Sequence, residues 1–235
     1  RMIWSILAPA DGIPKITVAV DGGDTYNIAY TADNGVAFKA KHFAKITDAT
    51  KKWSVPATAT PIADLTNMKK TFRANTGNEL RHIFMNDTTW QAFLNAEDTK
   101  KQVQGVLAYN AGLYLNEVDA RAYLLNRLGL IAHVYNKGYK ATEGAATLTS
   151  FIPDYVITGA AGETPRLGNV FYGPTPEMMT GVEAGGTVSI VNTGVSIYNY
   201  TDGHPFKHHC VVSEIVLPSF EGINNIFILN ANASA

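Results

Sequence analysis

FIPDYVITGAAGETPRLGNVFYG, residues 151–173, is ordered like a motif yet contains no chemistry. Phe151, Ile152, Pro153 and Asp154 lead into an apolar run. A glycine-rich loop follows, and a second short run ends in Phe171, Tyr172 and Gly173. A Pro-Asp pair after an apolar pair favours a turn, because proline presets φ and aspartate bonds its own backbone. The loop residues Gly159 to Gly168 lack the G-x-x-x-x-G-K-[ST] and G-x-G-x-x-G patterns. No helical periodicity follows on whose N-terminus a phosphate would rest. The stretch therefore reads as architecture, a turn and two strands joined by a loop.

Working outward, the preceding segment is α/β in character. Residues 14–30 read as two strands around the tight turn Asp21-Gly22-Gly23-Asp24, where glycine supplies positive φ. The calcium-loop reading fails for want of further oxygen ligands and a late glutamate. Residues 31–60, with Trp53 and Pro56, read as a loop. A helix is expected over residues 61–75, with Thr60 at the N-cap and Pro61 at the first position. Ile62, Leu65, Met68 and Phe72 form its buried stripe, and Gly77 closes it. Its Lys69, Lys70 and Arg73 read as a solvated face. Residues 80–85 read as a buried strand, and Asn86 caps a helix with Trp90, Phe93 and Leu94 inward. A glycine-punctuated stretch, residues 105–115, leads to a helix opening at Asn116. Val118, Ala122 and Leu125 are expected to form its buried stripe, Gly129 ends it, and residues 130–135 form a strand. Beyond Tyr135 strands dominate, over residues 155–158, 169–172, 187–191, 195–198, 210–217 and 226–229. No linker divides the two halves, so residues 1–235 read as one interlocked α+β chain without an internal boundary.

Composition narrows the function classes. Charged residues make up 17% of the 235, against about 25% in an average soluble domain. With 46% hydrophobic residues, this balance suits a surface covered by neighbouring subunits. A net charge of −1 gives no nucleic-acid-gripping face. No apolar run reaches membrane-spanning length. The single cysteine, Cys210, excludes an intrachain disulfide and reads as a small core residue of an apolar strand. No serine stands in a G-x-S-x-G turn. His204, His208 and His209 in HPFKHHC are the sharpest candidate for chemistry, a metal-dependent hydrolase site. Pro205 and the following β-branched run oppose the helix that would bring two of them onto one face. A polar strand entrance is the preferred reading, with no catalytic, metal-binding or cofactor-binding residue assigned.

Residues 134–173 resemble the C-terminal half of lambda-type tailed-phage major capsid proteins, the phage major capsid protein E-like family. A Y-x-x-x-Y segment crosses a glycine turn into Phe-[aliphatic]-Pro-[acidic], then a strand, a glycine loop and G-x-x-x-Y-G. Here these are Tyr135 and Tyr139; Phe151, Ile152, Pro153 and Asp154; and Gly168, Tyr172 and Gly173. The hairpin at residues 14–30, Trp53, the segment IFMNDTTWQAFLN and the closing strands of residues 204–230 agree more loosely. Tyr155 departs from the family, which often has a small turn residue there. The resemblance implies the Hong Kong 97-type capsid fold, with an axial α/β lobe and a peripheral β-rich lobe. It implies a structural virion protein that is not an enzyme, assembled in the bacterial cytoplasm into pentamers and hexamers of an icosahedral shell. Partners would be copies of itself, a scaffolding protein, a portal, a decoration protein and packaged double-stranded DNA held without sequence-specific contact. Family chains carry an N-terminal arm, an extended loop and a long helix before the point where Arg1 falls. The resemblance thus implies a fragment, a processed form or a shortened relative. A host-encoded nanocompartment shell of the same fold is the alternative.

Overall fold

The computed structural model describes residues 2–19, 25–31, 35–105, 115–140, 144–163, 167–175, 187–192, 194–203 and 206–233. The expected turn at Asp21 to Asp24 and most of the glycine-punctuated stretch lie outside the described residues. The chain forms two compact units, residues 1–167 with 222–235, and residues 168–221.

The first unit is built on a mixed sheet. Helix α1 (Met2–Leu7) precedes the antiparallel pair β1 (Lys15–Ala19) and β2 (Thr25–Ala29), which is the expected hairpin. Next come α2 (Val36–His42) and β3 (Phe43–Lys45), where the sequence reads as loop. Then follow α3 (Pro61–Thr76), β4 (Leu80–Met85), α4 (Asp87–Asn95), α5 (Glu97–Gln104), α6 (Glu117–Tyr123), β5 (Ile131–Val134), the short pair β6 (Gly138–Tyr139) and β7 (Thr149–Ser150), and β8 (Val156–Ala161). The unit's last strand, β13 (Ile226–Asn230), returns after the second unit. The sheet order is β3-β13-β8-β4-β5. β3 is parallel to β13 and β5 to β4, while β8 runs antiparallel to both of its neighbours.

Alternation along the strands gives the sheet two apolar faces. Ile83, Met85, Ile157, Phe227 and Leu229 face Leu65, Met68 and Phe72 of α3 and Trp90 and Phe93 of α4. Each large side chain fully buried here contributes about 1.5–3 kcal/mol. Trp53 is also fully buried, and its Nε1 donates to Asp64 Oδ2 at 2.9 Å. On the other face α1 lies across the strands, with Thr158 Oγ1 donating to the Leu7 carbonyl at 2.6 Å and Trp4 edge-on to Phe84. Helix α3 matches expectation, including Pro61 at its start and left-handed Gly77 (φ 76°) donating to the Arg73 carbonyl. The Thr60 side chain makes no capping bond.

Helix α6 corrects the expected face. Asn116 caps it as expected, its Oδ1 accepting from Val118 N at 3.1 Å. Val118 is 68% exposed, Leu125 is 50% exposed and Ala122 is exposed, while Ala120 and Leu124 are buried. Residues Leu124–Leu128 continue as a π-helical turn, which shifts the apolar register after Tyr123.

The second unit contains β9 (Asn169–Gly173), β10 (Thr187–Asn192), β11 (Val195–Asp202) and β12 (Lys207–Ser219), an antiparallel sheet in the order β10-β11-β12-β9. The closing strands β12 and β13 therefore lie in different sheets. No helix of this unit is found among its described residues, and most of β12 is exposed on both faces. That exposure corrects the reading of Cys210 as a core residue: its thiol is exposed.

Candidate functional site

The residues that carry the resemblance fall into two groups. In the first unit two of them, Ile152 and Asp154, bond Asn86, the residue before α4. Its Oδ1 accepts from Thr89 N at 2.9 Å and from Thr89 Oγ1 at 2.7 Å. Its Nδ2 donates to the Ile152 carbonyl at 3.2 Å and to Asp154 Oδ1. Thr89 Oγ1 in turn accepts from Tyr155 N at 2.8 Å. One buried amide thus caps a helix and fastens the Phe-Ile-Pro-Asp turn, whose residue Ile152 is fully buried. The sequence identifies Asn86 as a cap; nothing local signals its bonds to a turn 66 residues away.

Within that turn Tyr155 has φ 61°, the one left-handed non-glycine among the described residues. It stands where the resemblance places a small turn residue. The conformation costs a β-carbon residue roughly 1–2 kcal/mol, and Tyr155 offsets it by packing against the core.

Tyr135, Tyr139 and Phe151 form a chain of rings, 6.3 Å from Tyr135 to Phe151 and 5.3 Å from Phe151 to Tyr139. Trp4, which sequence reading passes over, joins it at 4.9 Å from Tyr135. The line continues through Phe84 to His133 (4.9 Å) and His82. His82 Nε2 donates to the Glu163 carbonyl, so its Nδ1 accepts from His133 Nε2 at 3.0 Å. Burial, with His82 and Arg121 adding to it, holds the His133 pKa below the ordinary imidazole value.

A cleft of about 1070 Å³ opens beside this line, walled by Trp4, Ile16, Tyr139 and Phe151 with Asp11 and Asp154 at its polar side. Asp11 pairs with Lys15 at 3.0 Å and accepts from Ile13 N, and Asp154 accepts from Asn86. The carboxylates are engaged in holding loops, so the cleft offers apolar walls rather than a poised acid or base.

The glycine loop begins later than expected. Gly159, Ala160 and Ala161 are buried strand residues of β8, and only from Gly162 does the chain leave the sheet. A β-carbon on Gly159 would stand 2.7 Å from Met68 Cε and 3.0 Å from Leu80 Cδ1, so glycine lets α3 approach the sheet.

In the second unit Gly168 meets the Ser219 backbone so closely that a β-carbon would fall 1.8 Å from its carbonyl oxygen. Tyr172 pairs with Val216 and Gly173 with Ile215. His204 lies outside the described residues. His208 and His209 occupy successive positions of β12 and so point to opposite faces. His208 Nδ1 bonds Thr201 Oγ1 at 3.2 Å and His209 stacks on Tyr200 at 4.7 Å. The two rings cannot converge on one ion. Among the described residues no group of three metal-ligating side chains forms, and no helix is long and apolar enough to cross a membrane.

No protein-family model and no curated protein sequence matches the chain. Solved structures do. A candidate capsid protein of a prophage of Escherichia coli CFT073 superposes with a TM-score of 0.61 at 16% identity, covering 99% of this chain and 61% of that one. A phage-related protein of Bordetella bronchiseptica RB50 superposes with a TM-score of 0.50 at 12% identity, covering 83% and 57%. The chain spans about three fifths of the length of these structures. It shares its mixed α+β fold with these two structures.

Proposed function

We propose that the chain is a structural subunit of a viral shell, the major capsid protein of a tailed bacteriophage or prophage. The observation that carries this reading is the shared fold over 99% of the chain with the candidate prophage capsid protein. Two features agree with it. The motif residues Tyr135, Tyr139, Phe151, Ile152, Pro153 and Asp154 are engaged in packing and hydrogen bonds that fix a turn. The second unit leaves large apolar side chains of its sheet exposed, as a surface completed by neighbours would.

On this reading the fold is Hong Kong 97-type, and the subunits close into pentamers and hexamers around double-stranded DNA. Rings of one repeated contact need surfaces that complement one another between copies. Scaffolding protein, portal and decoration protein would be further partners, and the virion the site of action. Purified protein examined by sedimentation velocity and electron microscopy is expected to give rings or shells of uniform size. Monomer under all conditions of concentration and salt would sink the proposal.

A further inference from the structure

The charge of the chain is divided unevenly between its two units. Residues 168–221 contain one basic side chain, Lys207, against Glu177, Glu183, Asp202, Glu214 and Glu221, a formal charge of −4. The net −1 of the whole chain leaves +3 on the first unit. That positive charge is concentrated in residues 36–76, which hold eight Lys and Arg against Asp48 and Asp64. Helix α2 packs on α3, where Asn75 Nδ2 donates to the Lys41 carbonyl at 2.7 Å, and β3 is the edge strand beside them. Lys69 and Arg73 pair with Glu79. Lys41, Lys45, Lys51 and Lys70 have no ion-pair partner among the described residues.

The acidic unit presents a matching surface. Register places Val170 and Tyr172 of β9 on the same sheet face as Val212, Glu214 and Val216 of β12. Val212 is 63% exposed, Tyr172 49% and Val170 43%, with Glu214 exposed among them. An apolar patch with an acidic side chain inside it is poor as a free surface, and its charge complements the lysine-rich segment of the first unit.

We infer that this face of the second unit docks on the α2–β3–α3 surface of a second copy of the chain, a head-to-tail contact. The inference rests on the shell reading and adds to it the two surfaces that meet. A head-to-tail contact, each surface meeting a different neighbour, produces rings or open chains when repeated. Lysine and glutamate steer the encounter, and Val170, Tyr172 and Val212 supply the apolar contact.

Charge reversal tests it on the full-length, nuclease-treated protein. Lys41→Glu with Lys70→Glu reverses charge on α2 and α3, and Glu214→Lys with Glu221→Lys reverses charge on the second unit, Glu214 within the face and Glu221 just beyond the end of β12. All four positions are exposed, and unchanged melting temperatures verify folding. Each pair is expected to weaken self-association at least about tenfold by sedimentation, and all four changes in one chain to restore it. Val212→Asp should weaken it as well, without rescue by the lysine reversals. Wild-type association should weaken as salt rises. If every variant assembles like the wild type, the contact is overturned and the shell reading stands. If the wild type stays monomeric, both fall. If the Lys41 and Lys70 reversals abolish DNA binding while self-association is untouched, the basic surface serves nucleic acid and the inference is overturned.

Discussion

Asn86→Ala should damage far more than one helix end. Loss of the cap to Thr89 N costs about 1 kcal/mol. The Ile152 carbonyl and the Thr89 hydroxyl lose their Asn86 partners in buried surroundings, at about 1 kcal/mol each as a lower bound. The expected loss is about 3 kcal/mol, which for a unit of this size lowers its melting temperature by about 6–12 °C. Calorimetry or far-UV circular dichroism of the full chain reads this directly, with exposed Thr88→Ala on the same helix as control. Asn86→Ser keeps a capping oxygen but cannot span to Ile152, so its loss should fall between alanine and wild type. Asn86→Asp keeps the cap and sets a carboxylate beside Asp154. That raises the folded-state pKa of the new acid, so stability is highest below the ordinary carboxylate range and is lost as pH rises through the folded value. Adding Asp154→Asn should recover it. A melting temperature for Asn86→Ala within about 2 °C of the Thr88→Ala control would refute the assignment of Asn86 as the tie between helix and turn.

Further outcomes are expected elsewhere. Gly168→Ala should destabilise the second unit by about 1–3 kcal/mol, because the clash at Ser219 is with backbone. Hydrogen exchange of β9 and β12 would report it, and unchanged protection would contradict the close approach. Leu124→Ala should cost about 2–5 kcal/mol while its neighbour Leu125→Ala stays within about 0.5 kcal/mol of wild type, by chemical denaturation. Equal losses would mean the helix face is misassigned. His42 is buried, stacked on Phe38 at 4.7 Å, and donates from Nδ1 to the Ile226 carbonyl. Burial holds its pKa below the ordinary value, against the opposing effect of that bond and with a small contribution from Lys41. Stability is therefore full above the unfolded-state pKa of about 6.5 and is lost as pH falls through the folded value. His42→Gln should flatten that part of the pH–stability profile, and an unaltered slope would count against it.

Elements with strong periodicity and proper ends were legible from sequence: α3 with Pro61 and Gly77, the strand ending at Met85, and the cap at Asn86. Helix α5 was not, because EDTKKQVQ has almost no apolar face. It is held by side-chain pairs such as Lys101 with Glu97 at 3.0 Å and Gln102 with Asp98. Helix α2 was hidden for a related reason, being short and opening after left-handed Gly35 without a side-chain cap. On α6 two apolar stripes are available, and only the packing of Ala120 and Leu124 under the sheet selects one. The motif at residues 151–155 was legible as a turn. Its ring contact with Tyr135, itself packed on Trp4, and its bond to Asn86 were not, since they join residues far apart in sequence. Cys210 misled because an apolar strand normally implies a covered one.

The position of β13 between β3 and β8 has a consequence for biosynthesis. The bond from His42 to Ile226 spans 184 residues, and among the described residues β3 pairs only with β13. During translation α3, β4, α4 and β5 can collapse on one another early, while α2 and β3 wait for a strand not yet made. All of residues 168–221 emerges within that interval and can complete its own ladder first. The lysine-bearing edge of the sheet is thus finished late in the life of the nascent chain. Long-range closure of this kind is slow, which leaves each newly made subunit a period in which that edge does not yet exist to meet a neighbour.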